Sequence, residues 1–481
     1  MSDTSVSNGS DTTDTQDTSD EVWNAPIEIE FTEDDIAECI ESIYHTHDEY
    51  INNNILHMSS PNFYEDMTNY TTEILFQAFC DAGLLTNDAE GESYDELKDF
   101  VDDVTEVYMD FCETPLRSMK NMDTDVEQKK DTNALVHIET QLCHLQKINE
   151  TQPKQKTPEW HAFRDGLLSA STLWKVFSSD AQRNSLIYEK CKGHTQRLFT
   201  NTAGAMHWGV KYEPVTILIY EDLYQTKVGE FGCIQHPKFK YIGASPDGIN
   251  IDKTSPKYGR MLEIKNIVNR EITGIPKEEY WIQTQIQMET CDLDECDFAE
   301  TRFGEYSSED SFYEDDSREY KGVMLHFISR PQIAVYLNTT AASNDPVYIY
   351  MPLSVSLDKE SIATWIEQER VIQRERGLAL LNTIYWYLEQ FSCVFIPRNR
   401  DWFQKAQPRI EELWKTIEKE RKEGFEHRAA KKREPKTTVV RVDEPKTTLN
   451  THIQSYIIEN LDMTNSVRCV KMDSITDTTV P

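Results

Sequence analysis

The stretch KYIGASPDGINIDKTSPKYGRMLEIK, Lys240 to Lys265, restricts the fold more than any other part of the chain. Lys240 to Ala244 is short and apolar-rich and runs into Ser245-Pro246-Asp247-Gly248. Pro and Gly on either side of an Asp end a strand and leave the carboxylate at its tip. After a polar loop, Arg260 to Ile267 alternates: Leu262, Ile264 and Ile267 are apolar, while Glu263 and Lys265 fall on the other face. Side by side, the two strands bring Asp247, Glu263 and Lys265 to one end of a sheet. Two carboxylates within hydrogen-bond range make a hard, oxygen-rich site suited to Mg²⁺ or Mn²⁺ and to phosphate oxygens. The Lys265 ammonium can hold an attacking water or offset charge on a phosphoryl group. Taken alone, the spacing is better explained by a hairpin with a solvated Asp and an exposed Glu/Lys pair. The neighbouring segments change that balance.

At 481 residues the chain is long enough for more than one domain, and 38% hydrophobic content suits a globular protein. No apolar run reaches membrane length, and Met1 to Asn24 lacks the regions of a signal peptide, so no membrane partner is expected. Ten cysteines without metal-knuckle pairing predict free thiols in a reducing, intracellular compartment. A net charge of −35 argues against non-specific adhesion to nucleic acid. The acid is unevenly placed, however. Lys190, Lys192, Arg197, Lys211, Lys238, Lys240, Lys253, Lys257, Arg260, Lys265 and Arg270 concentrate basic charge around the central segment.

In chain order, 1–24 is an acidic Ser/Thr/Asp-rich tail expected to be disordered. Residues 25–152 read as an acidic, amphipathic helical accessory domain followed by a linker. Residues 153–426 hold the chemistry, and 427–481 is a basic, low-complexity tail whose HRAAKKREPK cluster suits nucleic-acid contact or a nuclear address. Within the central part, Trp160 and Arg164 precede Ser169-Ala170-Ser171, which opens a helix; plain capping explains it, and a phosphate seat is the alternative. Glu213 stands in an apolar helix immediately before Pro214, where local irregularity is expected. It is either solvated or a third acid aimed at the site. Val228 to His236 reads as the strand preceding the Asp-bearing one. Gln283 and Gln287 share one helix face, and amides there can orient water or phosphate. Arg302 to Tyr320 reads as a solvated acidic loop. Strands follow at Gly322 to Ser329 and Pro346 to Leu353, with a helix from Gln332 between them. Long helices are expected from Lys359 to Phe391 and from Arg400 to Lys422.

Five motifs succeed one another: W-x3-R-x-G-x2-S-A-S, W-G-x2-Y-E, S-P-D-G, E-I-K and Y-W-I-Q-T-Q-x2-M. This order resembles the bacteriophage lambda exonuclease / YqaJ viral-recombinase family of PD-(D/E)XK nucleases, including members in large DNA viruses. The similarity covers Thr157 to Arg302. It implies an α/β (α+β) fold, a restriction-endonuclease-like core with a central mixed sheet flanked by helices, plus the helical N-terminal region. Matched residue by residue, it implies that Asp247, Glu263, Glu213 and the carbonyl of Ile264 hold metal, that Lys265 is catalytic, and that Gln283 lies near the attacking water. It further implies that Arg164, Ser171 and Ser245 hold a 5′-terminal phosphate.

The expected activity is Mg²⁺-dependent hydrolysis of DNA, with Mn²⁺ as substitute, digesting one strand of duplex DNA from a free 5′ end. An endonuclease on the same fold and a non-catalytic DNA-end-binding scaffold are the alternatives. The resemblance also implies a single-strand annealing partner and a ring-shaped homotrimer. The viral members point to host cytoplasm or a viral replication site, while the basic tail leaves the nucleus open.

Overall fold

The structure, a computed structural model, describes residues 32–85, 91–112, 117, 130–153, 157–193, 204–329 and 346–430. The 1–24 tail, Arg197, the helix expected from Gln332 and nearly all of the 427–481 tail lie outside them.

Three amphipathic helices lead, α1 (Glu33–Asn53), α2 (Phe63–Asp81) and α3 (Glu92–Phe111). A Thr32/Asp35 capping box starts α1. Ile43, Leu75, Phe76, Leu97 and Val101 form the core between the three helices. His47 is buried there between the Thr105 and Thr71 hydroxyls at 2.9 and 3.0 Å, and burial pulls its pKa down to about 4. α4 (Thr132–Thr151), capped by Asp131, packs Ile138, Leu142 and Leu145 into the main core.

The chain then runs through α5 (Pro158–Asp165), β1 (Leu168–Ser169), α6 (Ala170–Leu173), α7 (Asp180–Lys192) and α8 (Ala205–Leu223). Short strands follow: β2 (Val228–Gly229), β3 (Ile234–Gln235), β4 (Ile242–Ala244), β5 (Gly248–Asn250) and β6 (Met261–Asn266). The remainder is α9 (Glu278–Cys291), β7 (Glu295–Glu305), α10 (Glu309–Glu314), β8 (Lys321–Ser329), β9 (Val347–Tyr350), α11 (Lys359–Glu375), β10 (Leu378–Pro397) and α12 (Arg400–Glu423). A seven-stranded mixed sheet has the order β2-β5-β6-β7-β10-β8-β9, and a three-stranded one the order β1-β4-β3. β6 and β7 pair in parallel; the other pairs of the large sheet are antiparallel.

β6 is covered on both faces. Leu262 and Ile264 pack with Tyr220 of α8, while Met261 and Phe298 join Trp281, Ile282 and Ile286 of α9. Helices on both sides of a mixed sheet give the α/β fold that the motif order implied.

Four expectations about elements are corrected. The strand before Asp247, β4, does not pair with the Glu263 strand; β5, directly after Asp247, does, with Gly248 opposite Leu262. The strand expected over Val228 to His236 is two strands in different sheets, and Gly232 at φ +67 turns the chain between them. The helix expected to Phe391 ends at Glu375. Gly377 at φ +77 reverses the chain, and LALLNTIYWYLEQFSCVFIP extends as β10, its β-branched and aromatic side chains paired on both edges with β7 and β8. The acidic segment after Arg302 is not a solvated loop. It completes β7 and forms α10, which anchors Phe312 at 0% exposure against Tyr306 and Tyr385. Pro214 lies inside α8 without ending it.

Candidate active site

Asp247 is the last of the three residues, Ser245 to Asp247, that connect β4 to β5. Its Oδ2 accepts the backbone N–H of Ile264 at 2.7 Å, which draws the carboxylate onto β6. Glu263 projects from β6 toward α9 and is 1% exposed. Both its oxygens are engaged: Gln283 Nε2 donates to Oε1 at 2.6 Å and Gln287 Nε2 to Oε2 at 2.7 Å. The two amides stand one turn apart on α9, so the helix presents them together to one carboxylate. Lys265, two residues along the same strand face, donates to Glu263 Oε1 and lies 3.4 Å from Gln283 Oε1. Its ammonium is 5.0 Å from the centre of the Tyr280 ring.

The electrostatics are those of crowded acids. Burial, then repulsion from Glu263 and Glu213, holds the Asp247 carboxyl well above the carboxylate range, against Lys265 and the Ile264 N–H. Burial and the charges of Glu263 and Glu230 push Glu213 up to about 7, again against Lys265. Burial works against the Lys265 ammonium, but Glu263 and Asp247 outweigh it and raise the lysine above its ordinary value. Three carboxylates that repel one another around one half-buried ammonium form a site short of positive charge. Their donor set is all oxygen, the chemistry that fits Mg²⁺ or Mn²⁺. Among the described residues no three Asp, Glu, His or Cys side chains stand in a ready ligand array; Glu263 spends its oxygens on two amides and a lysine instead.

Of the remaining sequence candidates, Ser245 is tied to this centre, and Ser171 and Arg164 lie on the elements that lead into its sheet. β1 and β4 pair in parallel, Ser169 opposite Gly243, so Ser171 and Ser245 each follow the end of one of two neighbouring strands. The Ser245 carbonyl accepts from Gln287 Nε2 at 3.4 Å, tying it to the Glu263 clamp. Ser171 is exposed, with its hydroxyl 3.4 Å from that of Ser169. The Arg164 guanidinium packs 4.6 Å over Trp160, and its carbonyl accepts from Lys190 Nζ at 3.1 Å. Burial, with Arg164 and Arg421 nearby, lowers Lys190 to about 8. These three cations cluster at the end of α5, with the Asp165 carboxylate beside them.

Residues 159–294 match the YqaJ-like viral recombinase domain. This segment is similar to that family. It contains Arg164, Ser171, Glu213, Ser245, Asp247, Glu263, Ile264, Lys265 and Gln283. The chain is also 30% identical over 303 residues to the uncharacterised protein R354 of Acanthamoeba polyphaga mimivirus, covering 57% of this chain and 54% of that one. It thus spans about half the length of this relative. Solved structures similar to it include the alkaline exonuclease LHK-Exo of Laribacter hongkongensis, at 21% identity and TM-score 0.33 over 56% of this chain and 95% of that one. A phage related exonuclease from Haemophilus somnus 129PT is 14% identical, with TM-score 0.29 over 53% and 96% of the two chains.

Two features of the site and its surroundings escape a reading by motif. Gln287 holds Glu263 as closely as Gln283 does; its spacing from Gln283 was the available signal. The basic charge expected around the core is partly consumed inside it. Lys257 and Arg260 pair with the fully buried Asp297, and Lys211 with Glu305, so these cations do not face a ligand. Lys192, Lys238 and Lys240 stay exposed. Among the described residues no helix is long and apolar enough to cross a membrane.

Proposed function

We propose that the chain is a divalent-metal-dependent deoxyribonuclease that resects one strand of duplex DNA from a 5′ end. The observation that carries this reading is the convergence of Asp247, Glu263 and Glu213 on Lys265, with both Asp247 and Glu213 held far above the usual carboxylate range. Acids left at such cost beside a lysine are typical of reactive sites. Asp247, Glu263, Glu213 and the Ile264 carbonyl would hold Mg²⁺, with Mn²⁺ as substitute. When bound, the ion supplies Lewis acidity at the scissile phosphate and the positive charge that the three acids lack.

The chain's own groups account for the rest. Lys265 Nζ, beside Glu263 Oε1 and Gln283 Oε1, is positioned to orient the attacking water and offset phosphoryl charge. Gln283 and Gln287 keep the Glu263 carboxylate in one orientation. Glu213, near neutrality in its pKa, is suited to hold or release a proton at working pH. Arg164, Ser171 and Ser245 would take the 5′-terminal phosphate, supported by the cluster of Arg164, Lys190 and Arg421. The product would be a nucleotide with its 5′-phosphate and a 3′ single-stranded tail, the substrate of a strand-annealing partner in recombination or repair. A ring-shaped trimer is the assembly the resemblance implies.

The test is digestion of linear duplexes labelled at either end, with and without a 5′-phosphate, in Mg²⁺. Release of label from the phosphorylated 5′ end, abolished by chelator, is the expected result. Cleavage of closed circular DNA would make the site an endonuclease, and no cation-dependent cleavage of any DNA would end the proposal.

A further inference from the structure

Beside Lys265 lies a carboxylate that this scheme does not use. β6 and β7 run parallel, and Lys265 is in register with Glu300. Side chains at paired positions of adjacent strands project from the same face. Here that is the face α9 covers. Glu300 is 1% exposed. Its Oε1 accepts from Arg270 Nη2, while its Oε2 is buried without a hydrogen-bond partner among the described residues. A buried carboxylate oxygen with no donor is costly and needs a reason.

The surroundings supply one. The Arg270 guanidinium lies 5.6 Å from the centre of the Tyr280 ring, and Lys265 Nζ lies 5.0 Å from the same centre. Tyr280 is itself stacked on Phe298 at 5.5 Å, so one fixed ring spans both cations. Burial raises the Glu300 carboxyl, and the charges of Arg270, Lys277 and Lys265 oppose that rise, so the Lys265 ammonium is within electrostatic reach. As the protein stands, Lys265 donates to Glu263 Oε1. A divalent cation taken up by Glu263 would neutralise that acceptor and repel the ammonium. Among the described residues, Glu300 Oε2 is an uncommitted buried acceptor on the same sheet face.

We propose that Glu300 is a second seat for Lys265, a positioning residue that receives the ammonium when Glu263 turns to a divalent cation. The proposal rests on the metal-dependent reading of the site. Arg270 orients the seat by holding the other oxygen, and Tyr280 bounds the path between the two acceptors. Lys265 thereby stays at the reaction centre instead of swinging into solvent.

The test labels lysines of the full chain with an amine-reactive reagent, without DNA, in chelator or in Ca²⁺ or Mg²⁺, and reads Lys265 by mass spectrometry. In the wild type, Lys265 should stay protected in all conditions. In Glu300→Gln it should stay protected in chelator, where Glu263 holds it, and become about tenfold more reactive with cation, as expected for loss of a charge-assisted hydrogen bond. In DNA digestion the same variant should lose kcat with KM unchanged, and Glu300→Asp should recover part of it. Equal labelling of variant and wild type in cation overturns the proposal. So does exposure of wild-type Lys265 on adding cation, a result that needs no variant to fold. If the wild type shows no cation-induced rise in melting temperature, the metal reading itself falls, and this inference with it. If that rise is present and only the labelling fails, the second seat alone is wrong.

Discussion

The backbone N–H of Ile264 donates to Asp247 Oδ2 at 2.7 Å, so the acid that ends one segment is fastened to the middle of the strand bearing Glu263 and Lys265. The bond adds to the β5–β6 pairing that begins at the next residue, Gly248, while the strand that the motif set against β6 pairs elsewhere. β4 passes into another sheet, and Asp247 reaches β6 from the connection itself. The arrangement sets a second carboxylate close to Glu263, and the high pKa of Asp247 follows from that placement and its burial.

Asp247→Asn should therefore separate stability from activity. The amide keeps an acceptor for the Ile264 N–H and cannot ionise against Glu263 and Glu213. Melting temperature in chelator should be unchanged or higher, while Mg²⁺-dependent digestion of linear duplex falls by about a hundredfold or more, the scale of losing a charged group at a reacting phosphate. Parallel thermal melts and end-labelled digests read both. Loss of folding together with activity would make Asp247 a structural residue.

Gln287→Met tests the clamp. It nearly preserves volume on a helix face that is fully buried, but leaves Glu263 Oε2 without its donor at 2.7 Å. A buried acceptor stripped of its partner costs about 1–3 kcal/mol. Chemical denaturation should show a loss of that size, and the Gln283→Met variant a similar one. A neutral Gln287→Met would mean that Gln283 and Lys265 suffice to hold Glu263.

Glu213 gives a pH signature. Its carboxyl titrates from about 4.5 in the unfolded chain to about 7 in the folded one. Between those values the folded protein keeps a proton that the unfolded chain has released. The resulting stabilisation is complete at low pH and is lost as pH rises through about 7. In chelator, Glu213→Gln should flatten the fall in stability across this window relative to wild type. Mg²⁺ competes with the same proton, so the Mg²⁺-induced rise in melting temperature should be larger at about pH 8 than at about pH 6. Differential scanning calorimetry across that range checks both, and parallel profiles for variant and wild type would remove Glu213 from the site.

The parts of the site that could be read from the chain are those written in local pattern. Asp247 is marked by its turn residues, Glu263 and Lys265 by alternation, and the two glutamines by helical spacing. What was hidden depends on distant partners. β5 is three residues long, too short to show a period, so its claim on β6 could not be seen. β10 follows a helix with only Gly377 as a break, and its apolar run could belong to either element until β7 and β8 supply both edges. Lys257 and Arg260 looked like surface charge because Asp297, their buried partner, is far along the chain.

Gly248 shows how closely these short elements are fitted, and it yields the sharpest mechanical test. Beside Asp247 a glycine reads as turn chemistry, yet it has no left-handed φ and lies within β5. Its constraint is space, because a Cβ built there collides with Val228 Cγ1 on β2. Gly248→Ala must push β2 away or shift the connection that carries Asp247. Overpacking of this kind costs about 1–3 kcal/mol, and a shift of the carboxylate would lower digestion rates as well. Val228→Ala removes the colliding methyl groups. The double variant should therefore regain both stability and rate beyond the sum of the two single changes, a coupling that contacting residues display. Strict additivity in a double-mutant cycle would show that the glycine is required for another reason.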